Sequence, residues 1–304
     1  MSDSVTIFSP ATIGNVGPGF DCLGLCVTGL GDVFRVRRSP ENRIVNVSGV
    51  GADKVPMDPS RNTVTIASDA VFQEQGVEGG IEVSIERSLP IAGGLGSSAA
   101  SAVAGAKAAA ELCGLTDEKL IMKAALKAEA SVAGWHLDNI APCLYGGLVL
   151  VQDVQSFSLV KLPVAKGWWI TLLSPCQLLE TKASREALPK EVAWQLMVRQ
   201  MTSALCLAEA LREGNGELLR NSFKDEFAEA ARGPLIRDFF RIKEAALANG
   251  ALACSISGGG PTIFAVSQDE ETAKSISKAM AAATSDASVH VGMIADQGVR
   301  VIQE

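Results

Sequence analysis

The segment PIAGGLGSSAAS, from Pro90 to Ser101, constrains the fold of this chain more than any other stretch. It follows the run IEVSIER at 81–87, whose alternating apolar residues predict a strand. An alanine-rich sequence that begins at about Ser97 predicts a helix. Where a strand passes into a helix, backbone N–H groups and the positive end of the helix dipole point into one space, which favours phosphate. The three glycines of the segment would let the backbone approach such a ligand closely.

Two other interpretations compete with this phosphate loop. Gly94, Gly96 and Ala99 match the dinucleotide-binding pattern G-x-G-x-x-A. That pattern should be followed by a strand ending in an acidic residue about 20 residues later, and here a second helix is predicted instead. A tight strand-to-helix turn without any ligand also fits the loop taken alone. The nucleotide pattern G-x-x-x-x-G-K-[ST] is absent, because the loop contains no lysine.

The composition limits the kinds of partner. The chain has 304 residues and a net charge of −7, with an isoelectric point near 5.1, so we expect no nucleic-acid partner. It contains no apolar run of about 18 residues, and its first residues, MSDSVTIFSPAT, do not resemble a signal peptide. We therefore expect no membrane partner and a cytoplasmic location. Seven cysteines without a C-x-x-C pair, and only two histidines, predict reduced thiols and no zinc site.

The order of strand-like and helix-like segments predicts an α+β fold with two domains. Strands are predicted at 5–9, 33–38, 44–49, 81–87, 145–154, 168–174, 252–257, 262–267, 288–294 and 299–303. Helices are predicted from Ser97 to a stop at Gly114, at 117–133 with Thr116 as its cap, through most of 184–249, and at 269–283. We place the domain boundary within 153–168, which gives an N-terminal domain of 1–160 and a C-terminal domain of 161–304.

Three glycine-containing motifs in the right order resemble those of the GHMP small-molecule kinases. They are SPATIGNVGPGFDCLGL (Ser9–Leu25), the loop Pro90–Ser101, and SISGGGPTIFA (Ser255–Ala265). Within that superfamily the first motif is similar to the pattern P-A-T-x-x-N-x-G-x-G-F-D of the homoserine kinases. GWHLDNIAPCLYGG (Gly134–Gly147) and RGPLI (Arg232–Ile236) also resemble that family. The resemblance extends over essentially the whole chain.

The resemblance implies a fold and an activity. The N-terminal domain would bind ATP and be similar to domain 2 of ribosomal protein S5, and the C-terminal domain would be ferredoxin-like. ATP would lie in a cleft with Mg²⁺ between its phosphates and the protein. The reaction would be ATP-dependent phosphorylation of the side-chain hydroxyl of L-homoserine to O-phospho-L-homoserine, a step of threonine biosynthesis. Relatives are commonly dimers, so a homodimer is implied as well.

The resemblance also assigns residues to the nucleotide and the metal. The implied ATP-binding residues are Pro90, Ile91, Ala92, Gly93, Gly94, Leu95, Gly96, Ser97, Ser98, Ala99, Ala100 and Ser101. The hydroxyl of Ser98 and the carboxylate of Glu129 would bind Mg²⁺, which prefers hard oxygen ligands. Ser97 is the better candidate for capping the helix, although Ser97 and Ser98 could exchange roles. Glu129 could also lie on a solvated helix face.

An amino-acid substrate needs both charged and polar partners. The implied substrate-binding residues are Asn15, Asp21, His136, Asn139, Arg185, Arg232 and Gly259. Arg185 and Arg232 are candidates for the carboxylate, since a guanidinium can bind it with two parallel hydrogen bonds. Each arginine could instead be a solvated surface charge. Asn15 and Asp21 could serve only the backbone of a turn, and His136 could simply be a packed histidine.

The candidates for catalysis are Asn139 and Asp138. Mevalonate-type relatives place a catalytic aspartate about seven residues before a Gly-Gly pair, and this chain has Asn139 there. Since an amide cannot accept a proton at neutral pH, we expect catalysis without a strong protein base, with Asp138 as the alternative base. Three other functions stay open: a kinase for another small alcohol, a catalytically silent ligand sensor on the same fold, and a dinucleotide-dependent oxidoreductase.

Overall fold

The computed structural model describes residues 3–303. Its eleven strands are β1 (Ser4–Gly14), β2 (Leu23–Ser39), β3 (Arg43–Gly49), β4 (Gly80–Arg87), β5 (Leu148–Asp153), β6 (Ser158–Leu162), β7 (Trp169–Pro175), β8 (Ala253–Ile256), β9 (Ile263–Ser267), β10 (Ala287–Met293) and β11 (Arg300–Val301). Its ten α-helices are α1 (Thr63–Gln75), α2 (Ser97–Leu112), α3 (Glu118–Glu129), α4 (Ile140–Tyr145), α5 (Thr181–Glu186), α6 (Trp194–Glu213), α7 (Gly216–Ser222), α8 (Ala228–Arg232), α9 (Phe239–Ala248) and α10 (Glu270–Ala282). Short 3-10 helices span Ala52–Lys54, Pro59–Arg61 and Gly233–Leu235.

The first sheet has seven strands and collects segments from both ends of the chain. Its main order is β11-β1-β2-β4-β3, and β5 joins β2 to β6. The pairs are antiparallel except β3 with β4, which run parallel. The parallel pair requires a crossover, and α1 provides it. Strand β2 is long enough to pair with β1 and β4 in one part and with β5 in another.

Helices α1, α2 and α3 pack closely together, and α2 packs on β1, because α2 is built from small residues. A side-chain carbon at Gly105, in the middle of α2, would lie 2.0 Å from the carbonyl oxygen of Val64 in α1. The alanines of α2 are almost all buried, so the helix can lie close to both β1 and α1. This packing fixes the position of the N-terminus of α2, which begins just after the glycine-rich loop.

The second sheet has four antiparallel strands in the order β10-β7-β9-β8. Helices α9 and α10 pack with it around a core that includes Phe239, Ile242, Ile276 and Met280. The turn between β8 and β9 contains the third glycine motif. Because the two strands pair from Ile256 and Ile263, that turn projects from the end of the sheet towards the glycine-rich loop.

Most of the predicted elements are confirmed, with several corrections. The helix after Gly114 is capped by Asp117 rather than by Thr116, since the Asp117 carboxylate accepts the backbone N–H groups of Lys119 and Leu120. It ends at Glu129 rather than near 133. The helical region 184–249 consists of several short helices around the long α6. Helices α1 and α4 and strand β6 were not predicted, and β5 begins at Leu148 rather than at residue 145.

The mixed sheets and helices confirm the α+β class. A domain boundary between residues 160 and 161 stays a prediction. Within residues 3–303, no helix combines the length and the apolar character needed to span a membrane.

Candidate active site

A cavity of about 320 Å³ lies where the three glycine motifs meet. From the loop it is lined by Ile91, Ala92, Gly93, Gly94, Gly96, Ser97, Ser98 and Ser101. Its other predicted lining residues are Asn15, Asp21, Glu129, His136, Asp138, Asn139, Arg185, Arg232 and Gly259. Pro90, Leu95, Ala99 and Ala100 are not among the lining residues, and the side chains of the last three are buried in the core. The structure therefore brings nearly all of the predicted residues to one cavity.

The glycines of the loop are required by contacts with protein. Gly94 and Gly96 have positive φ angles of 79° and 65°. A side-chain carbon at Gly96 would lie 2.1 Å from Thr12 Oγ1 in the first motif, and one at Gly94 would lie 2.4 Å from the carbonyl oxygen of Ser257 in the third. The Ser257 hydroxyl also donates to the Gly94 carbonyl at 2.6 Å. The absent side chains thus let the three motifs pack tightly against each other, and close approach of a phosphate to the same backbone stays a prediction.

The N-terminus of α2 opens towards the cavity. Gly96 occupies the N-cap position and offers no side chain for capping. The first N–H groups of a helix lack partners within the helix, and the helix dipole places partial positive charge there. Ser97, expected to cap the helix, instead accepts a hydrogen bond at 2.6 Å from Arg87 Nη2. The end of α2 can therefore bind an anion through its backbone.

Ser98 and Glu129 form the predicted pair. The Ser98 hydroxyl donates to Glu129 Oε1 at 2.8 Å, although the two residues are on different helices. Glu129 is only 7% exposed, and its Oε2 atom is buried without a hydrogen-bond partner. Burial raises the pKa of Glu129 to about 7, against the lowering effect of the Ser98 hydrogen bond. A buried carboxylate with one free oxygen beside a hydroxyl suits a hard divalent cation.

Asn15 ties the first motif to the rest of the site. Its own N–H donates to Asp138 Oδ2 at 3.0 Å, and its side chain accepts the N–H of Asp21 at 3.0 Å and donates to the Gly258 carbonyl at 2.9 Å. The residue has a φ angle of 65°, which asparagine tolerates better than most residues. The Asn15 side chain therefore serves the backbone of two motifs, as the alternative from the sequence allowed.

The other end of the cavity contains a cluster of charged side chains. Arg185 forms a two-point ion pair with Asp21, with Nη2–Oδ1 at 2.9 Å and Nη1–Oδ2 at 3.2 Å. His136 Nδ1 lies 3.5 Å from Arg185 Nη2. Burial lowers the pKa of His136, so the ring is neutral at pH 7. These three side chains come from the first motif, the loop before α4, and α5.

Arg232 belongs to the same cluster but is held differently. It is only 3% exposed, which rules out a solvated surface charge. Its Nε donates to the Ser184 carbonyl at 3.1 Å and its Nη1 to the Gly258 carbonyl at 3.0 Å. Two backbone carbonyls thus orient a buried cation at the wall of the cavity. Gly259, also predicted, accepts the Ser184 hydroxyl at its carbonyl at 2.7 Å.

Asp138 and Asn139 both lie against Gly14. A side-chain carbon at Gly14 would lie 2.5 Å from Asp138 Oδ2 and 2.6 Å from Asn139 Nδ2, so the two neighbours face the same wall of the cavity. Burial raises the pKa of Asp138 to about 6. Asn139 accepts the Thr12 hydroxyl at Oδ1 at 2.9 Å, which leaves its NH₂ group as a donor.

Family models and known proteins agree on what this chain is similar to. A model of the GHMP kinases N terminal domain matches residues 62–147, and one of the GHMP kinases C terminal domain matches residues 207–286. Homoserine kinase of Chlorobium phaeobacteroides (strain BS1) is 35% identical and covers 98% of this chain and 99% of its own. Homoserine kinase of Arabidopsis thaliana is 39% identical, over 91% of this chain and 77% of its own. A crystal structure of homoserine kinase from Cytophaga hutchinsonii superimposes with a TM-score of 0.94 at 39% identity, covering 99% and 98% of the two chains.

The chain belongs to the homoserine kinase family of the GHMP kinases. It is therefore a phosphotransferase, and it uses ATP as the phosphoryl donor. The two-domain GHMP fold expected from the sequence is confirmed.

Sequence reasoning missed a buried cation beneath the loop of this kinase. Arg87, at the end of β4, lines the cavity, and its Nη2 lies 3.5 Å from Asp32 Oδ2. Besides Ser97, it donates to the Leu89 carbonyl at 3.0 Å. The Asp32 carboxylate in turn accepts the N–H groups of Ser88 and Leu89. Arg87 brings to the loop the positive charge that its own residues lack. An arginine at the end of the preceding strand was the only sequence signal.

Sequence reasoning also missed the segment between β3 and α1. Lys54, Val55, Pro56, Arg61 and Asn62 line the side of the cavity next to the loop. Asn62 caps α1 by accepting the Val64 N–H at 3.1 Å, and it holds the segment by donating to the Pro56 carbonyl at 2.9 Å. Apolar and basic groups therefore extend the cavity wall beyond the residues that the motifs predicted. No glycine or acidic pattern marks the segment.

Proposed function

We propose that the cavity transfers the γ-phosphoryl group of ATP to the side-chain hydroxyl of L-homoserine, giving O-phospho-L-homoserine for threonine biosynthesis. One observation carries the proposal. A single cavity joins an open helix N-terminus with a hydroxyl–carboxylate pair to a cluster of two arginines, an aspartate and a neutral histidine. The first end suits a nucleotide, and the second suits the ammonium and carboxylate of an amino acid.

At the phosphate end, the protein binds and neutralises charge. The N–H groups at the start of α2 and the buried guanidinium of Arg87 face the anion from the loop side. Ser98 and Glu129 would hold Mg²⁺, because Glu129 Oε2 has no partner and both donors are oxygens. When bound, the ion neutralises phosphate charge as a Lewis acid. Within residues 3–303, no group of three or more His, Cys, Asp or Glu side chains could hold a metal, so phosphate and water oxygens would complete the ligand set.

At the acceptor end, the protein would bind both charged groups of a zwitterionic amino acid. Arg232 and Arg185 would bind the substrate carboxylate, and Asp21 would bind its ammonium. In the structure Arg185 and Asp21 bind each other, so an amino acid would replace one ion pair by two. This exchange keeps the charges of Arg185 and Asp21 paired whether or not substrate is bound, so neither of these two is isolated in a partly dry cavity.

The transfer step needs positioning more than a base. The Asn139 amide can donate to the transferring group or to the acceptor oxygen, but it cannot accept a proton. We propose that the alcohol proton leaves late, towards the phosphoryl oxygens, while the helix N-terminus and the cations stabilise the developing charge. Asp138 is the alternative base, since its pKa of about 6 leaves it mostly ionised at pH 7. Its Oδ2 already accepts the Asn15 N–H, which favours a structural role.

A coupled ADP-release assay tests the proposal. Homoserine, 3-aminopropan-1-ol, several sugars and mevalonate are offered at equal concentrations with ATP and Mg²⁺. We expect homoserine to give the highest kcat/KM. A higher value for mevalonate or a sugar would assign the chain to another acceptor. Homoserine binding by calorimetry without ADP release would support a ligand sensor, and turnover of a nicotinamide cofactor by absorbance would support an oxidoreductase.

Two further properties are proposals, and the first is implied by the resemblance. We propose that the protein forms a homodimer, which light scattering on the purified chain would test. We also propose a cytoplasmic location, which cell fractionation would test.

A further inference from the structure

Phe20 is the residue through which the two arginines of the acceptor end are connected. The Cζ atom of Arg185 lies over its ring at 5.7 Å from the centroid, and that of Arg232 at 5.3 Å. Phe227 contacts the same ring edge-to-face, with centroids 4.9 Å apart and an interplanar angle of 82°. Phe20 itself is not among the residues that line the cavity. It therefore touches the two arginines from behind the lining of the cavity.

The two guanidinium groups need such a partner because they repel each other. Burial lowers the pKa of Arg232, and the charge of Arg185 lowers it further. Arg185 is paired with Asp21. Among residues 3–303 Arg232 has no carboxylate within 4.0 Å, and the charges of Asp21, Asp225 and Asp138 raise its pKa only from farther away. The face of an aromatic ring carries negative partial charge and attracts a cation within about 6 Å. One ring that serves both cations lowers the cost of keeping two like charges in one small region.

We propose that Phe20 is a positioning residue for substrate recognition, which holds Arg185 and Arg232 side by side so that both face one carboxylate. This proposal rests on the proposed function of the acceptor end. The neighbouring residue Asp21 binds the same guanidinium, so the dipeptide Phe20–Asp21 contacts Arg185 with an aromatic ring and with a carboxylate. Leucine at position 20 would fill similar space but would attract neither cation.

The test compares variants that change the ring and variants that keep it. Phe20→Leu should raise the KM for homoserine about tenfold. It should leave kcat and the KM for ATP within about twofold. Phe20→Tyr keeps an aromatic face and should stay close to the wild type. Preference for homoserine over 3-aminopropan-1-ol, which lacks the carboxylate, should fall in the Leu variant by about the same factor.

Two controls separate the electrostatic role from packing. Phe223→Leu removes a ring that packs on Gly17 in the same motif, and its aromatic partner is Phe264 rather than either arginine, so its KM for homoserine should not change. Phenylalanine analogues with one, two or three ring fluorines at position 20 keep the shape and weaken the attraction for cations. The KM should rise stepwise along that series, which also provides the test if Phe20→Leu does not fold.

The possible results distinguish failure of the Phe20 proposal from failure of the proposed function. An unchanged KM in Phe20→Leu, no trend along the fluorinated series, or equal losses in the Leu and Tyr variants would overturn the role of Phe20. If the wild type phosphorylates homoserine while these results are obtained, the proposed function survives. A wild type that does not phosphorylate homoserine overturns both proposals.

Discussion

The phosphate end of the cavity is made of backbone and small residues, whereas the acceptor end is made of long side chains from distant parts of the chain. At the phosphate end, the loop and the start of α2 are one continuous segment whose glycines abut two other motifs. At the acceptor end, Asp21, His136, Arg185 and Arg232 are brought together from four segments and are held by ion pairs and by carbonyl groups. Backbone packing determines the shape of the phosphate end, whereas individual charged side chains determine the chemistry of the acceptor end.

This difference predicts how each end fails. A change of backbone shape at the phosphate end should damage the fold as well as the reaction. A change of one side chain at the acceptor end should alter the preference among acceptor substrates and leave the KM for ATP unchanged. Ser98 and Glu129 are the exception at the phosphate end, because their role depends on side-chain oxygens.

The largest effect is expected from Glu129→Gln. Losing the carboxylate should lower kcat at least about a thousandfold, since charge neutralisation is most of the catalysis in this class of reaction. Ser98→Ala should cost about a hundredfold, and the double variant should cost little more than Glu129→Gln alone, because both residues serve one ion. Steady-state kinetics over a range of Mg²⁺ concentrations, with thermal melts as a control for folding, give the measurement. Losses that multiply in the double variant would speak against a shared cation.

Arg232→Leu should have the next largest effect. It removes one partner of the proposed pair between Arg232 and the substrate carboxylate, which should cost about 2–5 kcal/mol of transition-state binding. That corresponds to about a 30-fold to several-thousand-fold loss of kcat/KM for homoserine. Arg232→Lys should restore only part of it, since a point charge cannot replace the planar fork. The KM for ATP should not change.

The substrate analogue sharpens this prediction. Wild type should discriminate strongly against 3-aminopropan-1-ol, and Arg232→Leu should not. A Leu variant that keeps the wild-type preference for homoserine would mean that another residue reads the carboxylate, and Arg185 would be replaced next.

Gly96→Ala should destabilise the fold by about 3 kcal/mol. The positive φ angle costs a side chain about 1–2 kcal/mol, and the overlap with Thr12 Oγ1 adds to it. Gly114→Ala is the matched control, because Gly114 also has a positive φ angle but has nothing within 4 Å of the added carbon. Urea unfolding should show a clearly larger loss for Gly96→Ala, and Thr12→Ala should recover part of it. Equal losses at the two glycines would show that contact between the motifs does not matter.

Asp138→Asn should have the smallest effect on activity, and its effect on the free energy of unfolding should depend on pH. The pKa of Asp138 rises from the ordinary 3.8 to about 6 in the folded protein, so the folded state holds the proton more tightly than the unfolded state. The free energy of unfolding of the wild type therefore falls as the pH rises through this range, and the variant escapes that fall. At pH 8 we expect the variant to be more stable by about 3 kcal/mol, since the pKa differs by about 2 units between the folded and unfolded states and each unit is worth about 1.4 kcal/mol. The difference should disappear well below pH 3.8.

Activity of the same variant separates the two mechanisms. If the proton leaves without a protein base, kcat should fall less than about tenfold. A loss of more than a hundredfold in a stable, folded Asp138→Asn protein would instead assign Asp138 as the base.

The sequence was most informative where structure is local. The strand before the loop, the loop and the start of α2 at Ser97 were all predicted, because alternation, glycines and alanines act over a few residues. Helix α1 was missed because its first turn contains the β-branched residues Thr63, Val64 and Thr65, and because burial against α2 removes most of its polar face. Packing, rather than propensity, makes this segment helical.

The candidate site could be predicted only as a set of residues. Motifs pointed to Arg185, to Arg232 and to Ser98 with Glu129 as a pair. They did not point to the ion pair of Arg185 with Asp21. Arg87 was not found, since its role depends on Asp32, which is far away in the sequence and adjacent in the sheet. Contacts between distant segments produce no local sequence pattern, so they cannot be predicted from the pattern of one sequence.

Strand β11 covers the edge of β1 but is synthesised long after it, so the order of synthesis affects how the first sheet is completed. It pairs with β1 through Ile7 and Phe8, and the segment just before it bonds to Cys26 and to Cys143 through backbone N–H groups. A ribosome makes those partners well before residues 294–302, so the edge of β1 stays uncovered while the intervening residues emerge. The nascent protein therefore has to keep an open sheet edge from pairing with other chains until β11 has been made. A cut just before residue 294 will therefore act on the amino-terminal sheet.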